Sequence, residues 1–438
     1  METAAALPGD VLAAVLGRLP AHSLAASRCV CQAWRRLADE RRLLLPHLLP
    51  HSVRGFFVNY VDPPPPPTHF FARPAAAPGP WIDGAFSFVD PEHRRFGGRC
   101  CNVADHCNGL VLLQDELLHT ELYACNPTTR RWVRLPRLAA AGRAFLVFDP
   151  AVSRHYEVLV APVDPPAAAG IKVSMEWPPS RCTWQVFSSR TRRWRPRVFV
   201  REGEAAGVAA DMAMGSLPYV KEAQWRYGVY WQGALYVHCR GEYVSRMSLS
   251  NGKYKVIKSP VDRAECYNKT RSFIGRSGNG VCFASIYACR LRVWILSECR
   301  DQTEWTLKHD RDLEPDDWWE VVVKGDHQQI KYTGPWILDD YYDSRKAKRN
   351  VDWSSDDDDI ICGAEGKKKG DGRSMYPPSF HFLGFHPFKE VIFLTALGVA
   401  VAYHWNTSRV QFMGILKPNC HNYGVYDSFV YTPCIRPA

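Results

Sequence analysis

The sequence predicts a mainly β protein with a small all-α module at its N-terminus. The first fifty residues place apolar side chains at helical spacing. From about residue 100, short runs rich in Val, Tyr, Phe and Trp alternate with Gly, Pro, Asn and Asp, which is typical of strands and tight turns. We therefore expect a helical unit at 1–50, a linker with the first strands at 51–99, and a β domain at 100–438.

The composition excludes several classes of protein. With 46% hydrophobic and 23% charged residues over 438 positions, the chain is globular rather than disordered. Pro8, Asp10 and Arg18 interrupt the N-terminal apolar run, so no signal peptide is predicted. The apolar run at 391–403 is too short to cross a membrane. The 15 Cys are expected to be reduced thiols of an intracellular protein in the nucleus, the cytoplasm or both.

The helical unit has a wide apolar stripe. Apolar residues recur through 7–19, Pro20 ends the first predicted helix, and Ser23 is a candidate N-cap for the next one. A unit of roughly 45 residues has little material for a core of its own. The stripe is therefore expected to meet a partner protein, or alternatively the rest of the chain.

These residues resemble the F-box family, whose pattern the chain follows with only Val15 for Ile and Gln32 for Lys. The resemblance implies three helices that bind a Skp1-type adaptor, and through it a cullin, by apolar anchors with an arginine rim. The residues it places against Skp1 are Leu7, Pro8, Val11, Leu12, Leu16, Leu19, Leu24, Val30, Cys31 and Trp34.

The β region contains an internal repeat. Thr-Arg-Arg-Trp occurs at 129–132 and 191–194, and each Trp lies six positions after a small polar residue, Asn126 or Ser188. The same frame is found from Ser248 and from Asn406, and more loosely from Ser297. A period of about 50 residues favours a β-propeller of about six four-stranded blades, the fifth obscured by an insertion; a sandwich or irregular β array is the alternative.

This region also resembles the F-box-associated domain of plant F-box proteins, including the kelch-like ones. The matching motifs are His106 to Val111, Tyr123 to Trp132, Phe148-Asp149-Pro150 with Tyr156-Glu157-Val158, Trp184 to Ser188, and Gly233 to Tyr236. The resemblance implies a recognition scaffold. It names no ligand.

Two segments depart from the repeat. Residues 62–80 are Pro-rich, with an unbroken run at 63–67, and are expected to act as a stiff spacer. Residues 339–376 mix acidic and basic clusters and are expected to form a flexible insertion. Within it, Ser354 and Ser355 before four aspartates suit an acid-directed kinase, and the basic clusters suit nuclear import, although a solvated loop is favoured over both.

No catalytic, cofactor or metal site is predicted. Cys100, Cys101, His106 and Cys107 fit no zinc spacing, and no phosphate-binding glycine loop or hydrolase motif is present. The net charge of +10 permits polyanion binding without requiring it. The Arg-Arg-Trp runs are expected to be solvated hairpin ends, so nucleic acid binding is not favoured.

The predicted function is that of a non-catalytic substrate-recognition subunit of an SCF-type ubiquitin ligase. In this interpretation the F-box binds a Skp1-like adaptor and the propeller binds a target protein that the sequence does not name. Two alternatives remain: a propeller that binds protein or nucleic acid outside any ligase, and a propeller enzyme. Both leave the first fifty residues unexplained.

Overall fold

A computed structural model gives the fold. The residues it describes are 8–19, 21–41, 43–44, 53–60, 68–73, 82–90, 101–115, 118–162, 174–209, 225–239, 242–261, 271–278, 280–287, 289–299, 302–313, 336–338, 360–361, 380–416 and 425–434. The proline run at 63–67 and, apart from 360–361, the insertion at 339–376 lie outside these residues, as does Leu7.

Three helices form the N-terminal module: α1 (Gly9–Leu16), α2 (Ala21–Ser27) and α3 (Gln32–Glu40). The carbonyl of Pro8 accepts the first helical bond of α1 from the N–H of Leu12 at 3.0 Å. The Sγ of Cys31 caps α3, where it accepts from the N–H of Trp34 at 3.5 Å. None of the described helices is long and apolar enough to span a membrane.

The rest of the described chain is built from strands. Their bounds are β1 (Gly55–Tyr60), β2 (His69–Ala72), β3 (Cys101–Cys107), β4 (Leu110–Asp115), β5 (Leu122–Asn126), β6 (Arg131–Arg134), β7 (Ala144–Val147), β8 (Glu157–Val160), β9 (Glu176–Trp177), β10 (Arg181–Ser188), β11 (Arg193–Glu202), β12 (Gly207–Val208), β13 (Trp225–Trp231), β14 (Ala234–Cys239), β15 (Tyr243–Ser248), β16 (Lys253–Lys258), β17 (Arg271–Ser277), β18 (Gly280–Tyr287), β19 (Arg290–Cys299), β20 (Gln302–Asp312), β21 (Ile337–Leu338), β22 (Ile360–Ile361), β23 (Phe380–Phe385), β24 (Val391–Ala396), β25 (Val399–His404), β26 (Arg409–Ile415) and β27 (Val425–Tyr431).

These strands form six four-stranded blades within the described residues. From the inner to the outer strand the blades are β3-β4-β5-β6, β7-β8-β10-β11, β13-β14-β15-β16, β17-β18-β19-β20, β23-β24-β25-β26 and β27-β1-β2-β21. Parallel pairing of β11 with β16 joins the second and third blades into one eight-stranded sheet. The six inner strands contact one another in sequence, and β27 contacts β3, so the ring closes. The predicted propeller-like fold is confirmed.

The sixth blade contains both ends of the β region. Its inner strand β27 pairs with β1, where Phe57 lies opposite Phe429. The β domain therefore begins at Gly55, within the segment 51–99 for which a linker and the first strands are predicted, and not at the predicted boundary of residue 100. The two short strands described between β20 and β23 do not form an additional blade. β21 completes the sixth blade, and β22 extends the fifth.

A hydrophobic cluster fills each gap between neighbouring blades. Adjacent residues of a strand point to opposite faces. Phe56 accordingly packs between the fifth and sixth blades, while Phe57 packs between the sixth and first. The second strand of a blade is covered on both faces, and β1, β14, β18 and β24 accordingly have the continuous apolar runs that are typical of sheets buried on both sides.

The sequence repeat corresponds to the turn between the two outer strands of a blade. Its fourth turn position has a left-handed backbone: Arg130 (φ 54°), Arg192 (φ 54°), Gly252 (φ 68°) and Ser408 (φ 57°). In three blades the small polar residue of the predicted frame, which is Asn126, Ser188 or Ser248, closes the turn by pairing with the first residue of the next strand. Asn126, for example, pairs with Arg131.

Two of the predicted positions, Asn406 and Ser297, do not close a turn. In the fifth blade His404 pairs with Arg409, so the equivalent position is 404 and Asn406 lies inside the turn. In the fourth blade Cys299 and Gln302 close the hairpin, which places Ser297 within the ladder. The first error arises because a six-residue spacing between a small polar residue and an aromatic residue can be met in more than one register. The second arises because Ser297 lies eight residues before Trp305, so the looser spacing did not fix the position of the turn.

Candidate functional site

The helical module has a small core of its own. Leu16, Leu24 and Leu44 are buried in one cluster, with relative exposures of 1%, 0% and 8%. The side chains that pack against this cluster while remaining partly accessible are Leu12, Leu19, Trp34, Leu37 and Leu43. The apolar stripe that the sequence predicts is thus divided between the inside and the outside of the module.

Three valines of the module face solvent. Val11 and Val15 lie one turn apart on α1 and are 47% and 48% exposed, and Val30, between α2 and α3, is 65% exposed. Pro8 and Cys31 are exposed as well. Exposed apolar side chains concentrated in one small module are typical of a protein interface.

Ion pairs hold the turn between α2 and α3 in place. Arg28 binds Asp39 with two nitrogens, its Nε lying 2.8 Å from Oδ1 and its second guanidinium nitrogen 3.0 Å from Oδ2. Arg41 at the end of α3 also binds Asp10 of α1. Arg28 therefore has a structural partner inside the module.

The predicted adaptor-binding residues fall into three groups. Pro8, Val11, Val30 and Cys31 are exposed; Leu12, Leu19 and Trp34 are half-buried; Leu16 and Leu24 are buried. The last two differ from expectation, because they form the core of the module and their side chains do not reach its surface. Leu7 lies outside the described residues.

Val15 is the residue that the predicted set lacks. It is as exposed as Val11 and follows it by four positions, so the two valines share a face of α1. The helical spacing alone could have identified it, but spacing does not say which edge of a wide stripe remains outside.

The propeller has a second candidate site on its axis, a cavity of about 100 Å³. The inner strands of the blades line it, and its polar side chains include Asp105, His106, Arg143, Arg276 and Ser428. Arg143 binds Asp427 at 3.2 Å, and both groups are largely buried. Asp105 accepts a 2.6 Å hydrogen bond from the N–H of Leu146.

Burial sets the charge state of this cavity. It raises the pKa of Asp105 to about 7, against the opposing effect of hydrogen bonds and of Arg143. Burial, together with nearby Arg276, lowers the pKa of His106 to about 4. At neutral pH His106 is therefore uncharged, and Asp105, beside the Arg143–Asp427 pair, keeps its proton to a higher pH than an exposed aspartate does.

The structure brings together no metal site among the residues it describes. No three His, Cys, Asp or Glu side chains there could hold a metal ion, and Cys100 lies outside the described residues. Cys107 donates to the carbonyl of Phe148 at 3.3 Å, and burial raises the pKa of its thiol to about 12. This cysteine is a protonated part of the core.

The fold and surface define the class of protein: a small helical module with an apolar exposed face, followed by a six-bladed propeller. An F-box-like family model matches residues 4–44. The chain is similar to two proteins of Arabidopsis thaliana. Putative F-box protein At5g42430 is 26% identical over 167 residues, 36% of this chain and 40% of the relative. F-box protein ETP2 is 28% identical over 145 residues, 32% of this chain and 36% of the relative.

These matches show an F-box-like domain at the N-terminus and a partial similarity of the chain to plant F-box proteins. The aligned region spans well under half the length of either relative. No enzyme family is indicated, since both relatives are named as F-box proteins and F-box proteins are generally non-catalytic adaptors. The comparisons do not confirm the kelch-type assignment of the C-terminal domain.

Two solved structures match the chain with low TM-scores. The protein in "YCF48 bound to D1 peptide" is 8% identical, with a TM-score of 0.32 over 84% of this chain and 82% of that chain. Kluyveromyces lactis Hsv2p is 11% identical, with a TM-score of 0.26 over 49% and 60% of the two chains. TM-scores this low support no conclusion about the chain, and its fold is assigned from the sheet pairing described above.

Proposed function

We propose that this protein is a substrate-recognition subunit of an SCF-type ubiquitin ligase. Its helical module binds a Skp1-like adaptor, which connects it to a cullin, and its propeller binds a target protein. The chain supplies no catalytic residue in this proposal; it speeds ubiquitin transfer by holding the target near the transfer machinery. The setting that we propose is the nucleus, the cytoplasm or both.

The observation that carries the proposal is the exposed face of the module. Val11, Val15 and Val30 are each about half exposed or more, within a domain that matches the F-box-like model. Burying apolar area yields roughly 25 cal/mol per Å², so three such side chains offer a few kcal/mol to a complementary surface. Leu12, Leu19 and Trp34 pack against the leucine core of the module and remain partly accessible, so they add apolar area to what a partner could cover.

The test is capture of a Skp1-like adaptor by the full chain and by the double variant V11D/V15D. Both valines are exposed, so the charges should spare the core of the module while disrupting an apolar interface. Leu16 is unsuitable because an aspartate there would unfold the module. The matched control is V133D/V152D, which alters two valines of the propeller that are 50% and 61% exposed.

We expect V11D/V15D to lose most adaptor capture and V133D/V152D to retain it. Circular dichroism at equal concentration checks that both variants are folded. Equal capture by V11D/V15D and the unaltered chain would overturn the proposal.

A further inference from the structure

Two neighbouring hairpins of the propeller carry exposed arginines. The hairpins are β5–β6 of the first blade and β10–β11 of the second, and we call their arginines the arginine surface: Arg130, Arg131, Arg190, Arg192 and Arg193. All five are exposed. Within the described residues, none of their side chains forms an ion pair or a hydrogen bond.

Nearby acids are already occupied by other arginines. Arg134 lies 3.0 Å from Glu121, and Arg197 lies 3.1 Å from Glu157. No acidic residue occurs in either hairpin turn between the paired strand ends, Asn126 with Arg131 and Ser188 with Arg193. The arginine surface is thus a concentration of positive charge that the described structure leaves uncompensated.

The two hairpins are held side by side. Both blades contribute to one hydrophobic cluster, and Trp194 at the start of β11 packs against it. The indole N–H of Trp194 donates to the carbonyl of Pro136, just after β6, at 2.7 Å.

Two of these arginines lie at strained backbone positions. Arg130 and Arg192 occupy the left-handed position of their turns, where the third blade has Gly252. Glycine adopts this conformation without the steric cost that a side chain incurs. The geometry of the turn therefore does not explain why these residues are arginines. Their effect is to place a guanidinium group at the end of each hairpin.

The form of the surface favours a peptide over a nucleic acid. Single-stranded nucleic acid sites commonly offer aromatic rings for base stacking. Here the two rings interleaved with the arginines are committed to the fold, since Trp132 and Trp194 pack against hydrophobic clusters. Guanidinium groups without exposed rings suit carboxylates or phosphates, which they bind through paired N–H groups.

We propose that the arginine surface binds a segment of the target protein that carries several negative charges, from carboxylates or from phosphorylated side chains. The inference rests on the proposed function, because it assumes that the propeller holds a protein target. Beyond the proposed function, it specifies the negative charge of the bound segment and the two blades that bind this segment.

The test uses fluorescence anisotropy with the purified full chain. The probes are a short peptide of alternating Asp and Gly, the same peptide with phosphoserine in place of Asp, a Lys-Gly peptide, and single-stranded and duplex DNA. The variant is R131E/R193E, which alters equivalent first positions of the two outer strands. The matched control is K308E/R311E on the fourth blade, with the same change in net charge and two exposed positions.

We expect an acidic peptide to bind, with the tighter of the Asp and phosphoserine forms showing which anion is read. R131E/R193E should weaken this binding roughly tenfold or more, and K308E/R311E less than about twofold. Thermal melting checks the folding of both variants, and R131Q/R193Q should give an intermediate loss.

Three results would overturn the proposal: no binding of either acidic peptide, equal losses in the two charge-reversal variants, or tighter binding of DNA than of both peptides at physiological salt. Adaptor capture is measured on the same samples and should be unchanged in R131E/R193E. A failure of capture by the unaltered chain bears on the ligase role, and a failure of peptide binding bears on the arginine surface.

Discussion

The helical module and the propeller solve the problem of burying apolar side chains in different ways. The module buries three leucines and leaves three valines about half exposed or more. The propeller fills every gap between neighbouring blades with a cluster that both blades share. A closed ring covers its own strand faces, whereas a three-helix unit has too little chain to do so.

The stability of each region therefore depends on a different feature. Stability of the propeller depends on ring closure, because β27 joins β1 and β3 near the two ends of the β region. Stability of the module depends on a few leucines and, in our account, on a partner. The variants below test each dependence separately, beginning with the largest expected effect.

The closure of the ring is tested at Gly109, in the turn between β3 and β4. Its φ is +85°, and a Cβ there would lie 2.3 Å from the Cβ of Cys434, after β27. We expect G109A to lower the free energy of unfolding by about 4 kcal/mol, from a clash added to left-handed strain. The measurement is denaturant unfolding followed by tryptophan fluorescence.

Gly203 is the control for this clash. Its φ is +84°, but no atom lies within 4 Å of a Cβ built there. G203A should therefore cost only the backbone strain, about 1–2 kcal/mol. Equal costs at the two glycines would show that contact with Cys434 does not limit closure.

The core of the module is tested by L24A. Leu24 is fully buried, and replacing a buried leucine by alanine typically costs about 2–5 kcal/mol. We expect faster amide hydrogen exchange throughout α1–α3 and unchanged exchange in the blades. V30A, at a side chain that is 65% exposed, is the control and should change stability by less than about 0.5 kcal/mol.

The cavity on the propeller axis is tested by pH. The pKa of Asp105 is raised to about 7 in the folded chain, so between its ordinary value near 4 and pH 7 the folded state holds a proton that the unfolded state has lost. Stability from this group therefore falls as pH rises through that interval. The lowered pKa of His106 has the opposite sign: its contribution falls as pH drops from about 6.5 to about 4.

We accordingly expect a shallow pH dependence in the unaltered chain and a change in D105N. This variant keeps an oxygen for the N–H of Leu146 but removes the titrating group. Its stability relative to the unaltered chain should rise by about 3 kcal/mol between pH 4.5 and pH 7.5. The check is urea unfolding at a series of pH values; a constant difference would contradict the raised pKa.

The smallest effect is expected at the partly exposed pair of Arg28 and Asp39. Their side chains are 22% and 31% exposed, and pairs of this kind contribute about 0.5–1 kcal/mol. R28A should lower the stability of the helical module by that amount, as measured by amide exchange in α2 and α3. If R28A matches L24A in effect, the leucine core is less dominant than we describe.

Much of the fold could be predicted from local patterns. The Thr-Arg-Arg-Trp repeats mark hairpins whose turn geometry recurs in four blades. The apolar runs mark strands that are buried on both faces. The pairing of β1 with β27 could not be predicted, because it joins residues near opposite ends of the chain through register and not through motif. The same limit affected the predicted domain boundary at residue 100.

The candidate surface was predictable in kind but not residue by residue. Helical spacing and the F-box pattern located the module, yet they grouped Leu16 and Leu24 with Val11. Only packing separates these side chains, since the core of a small module and its outer face use the same residue types. Similarly, the arginine surface depends on two hairpins being neighbours in space.

The most direct test of the central claim is hydrogen exchange of the full chain with and without a Skp1-like adaptor. Our account predicts that the adaptor slows exchange in α1, α2 and α3 and leaves the blades nearly unchanged, because the exposed apolar face is on the module. Protection confined to blade strands, or no protection of the three helices at saturating adaptor, would contradict it.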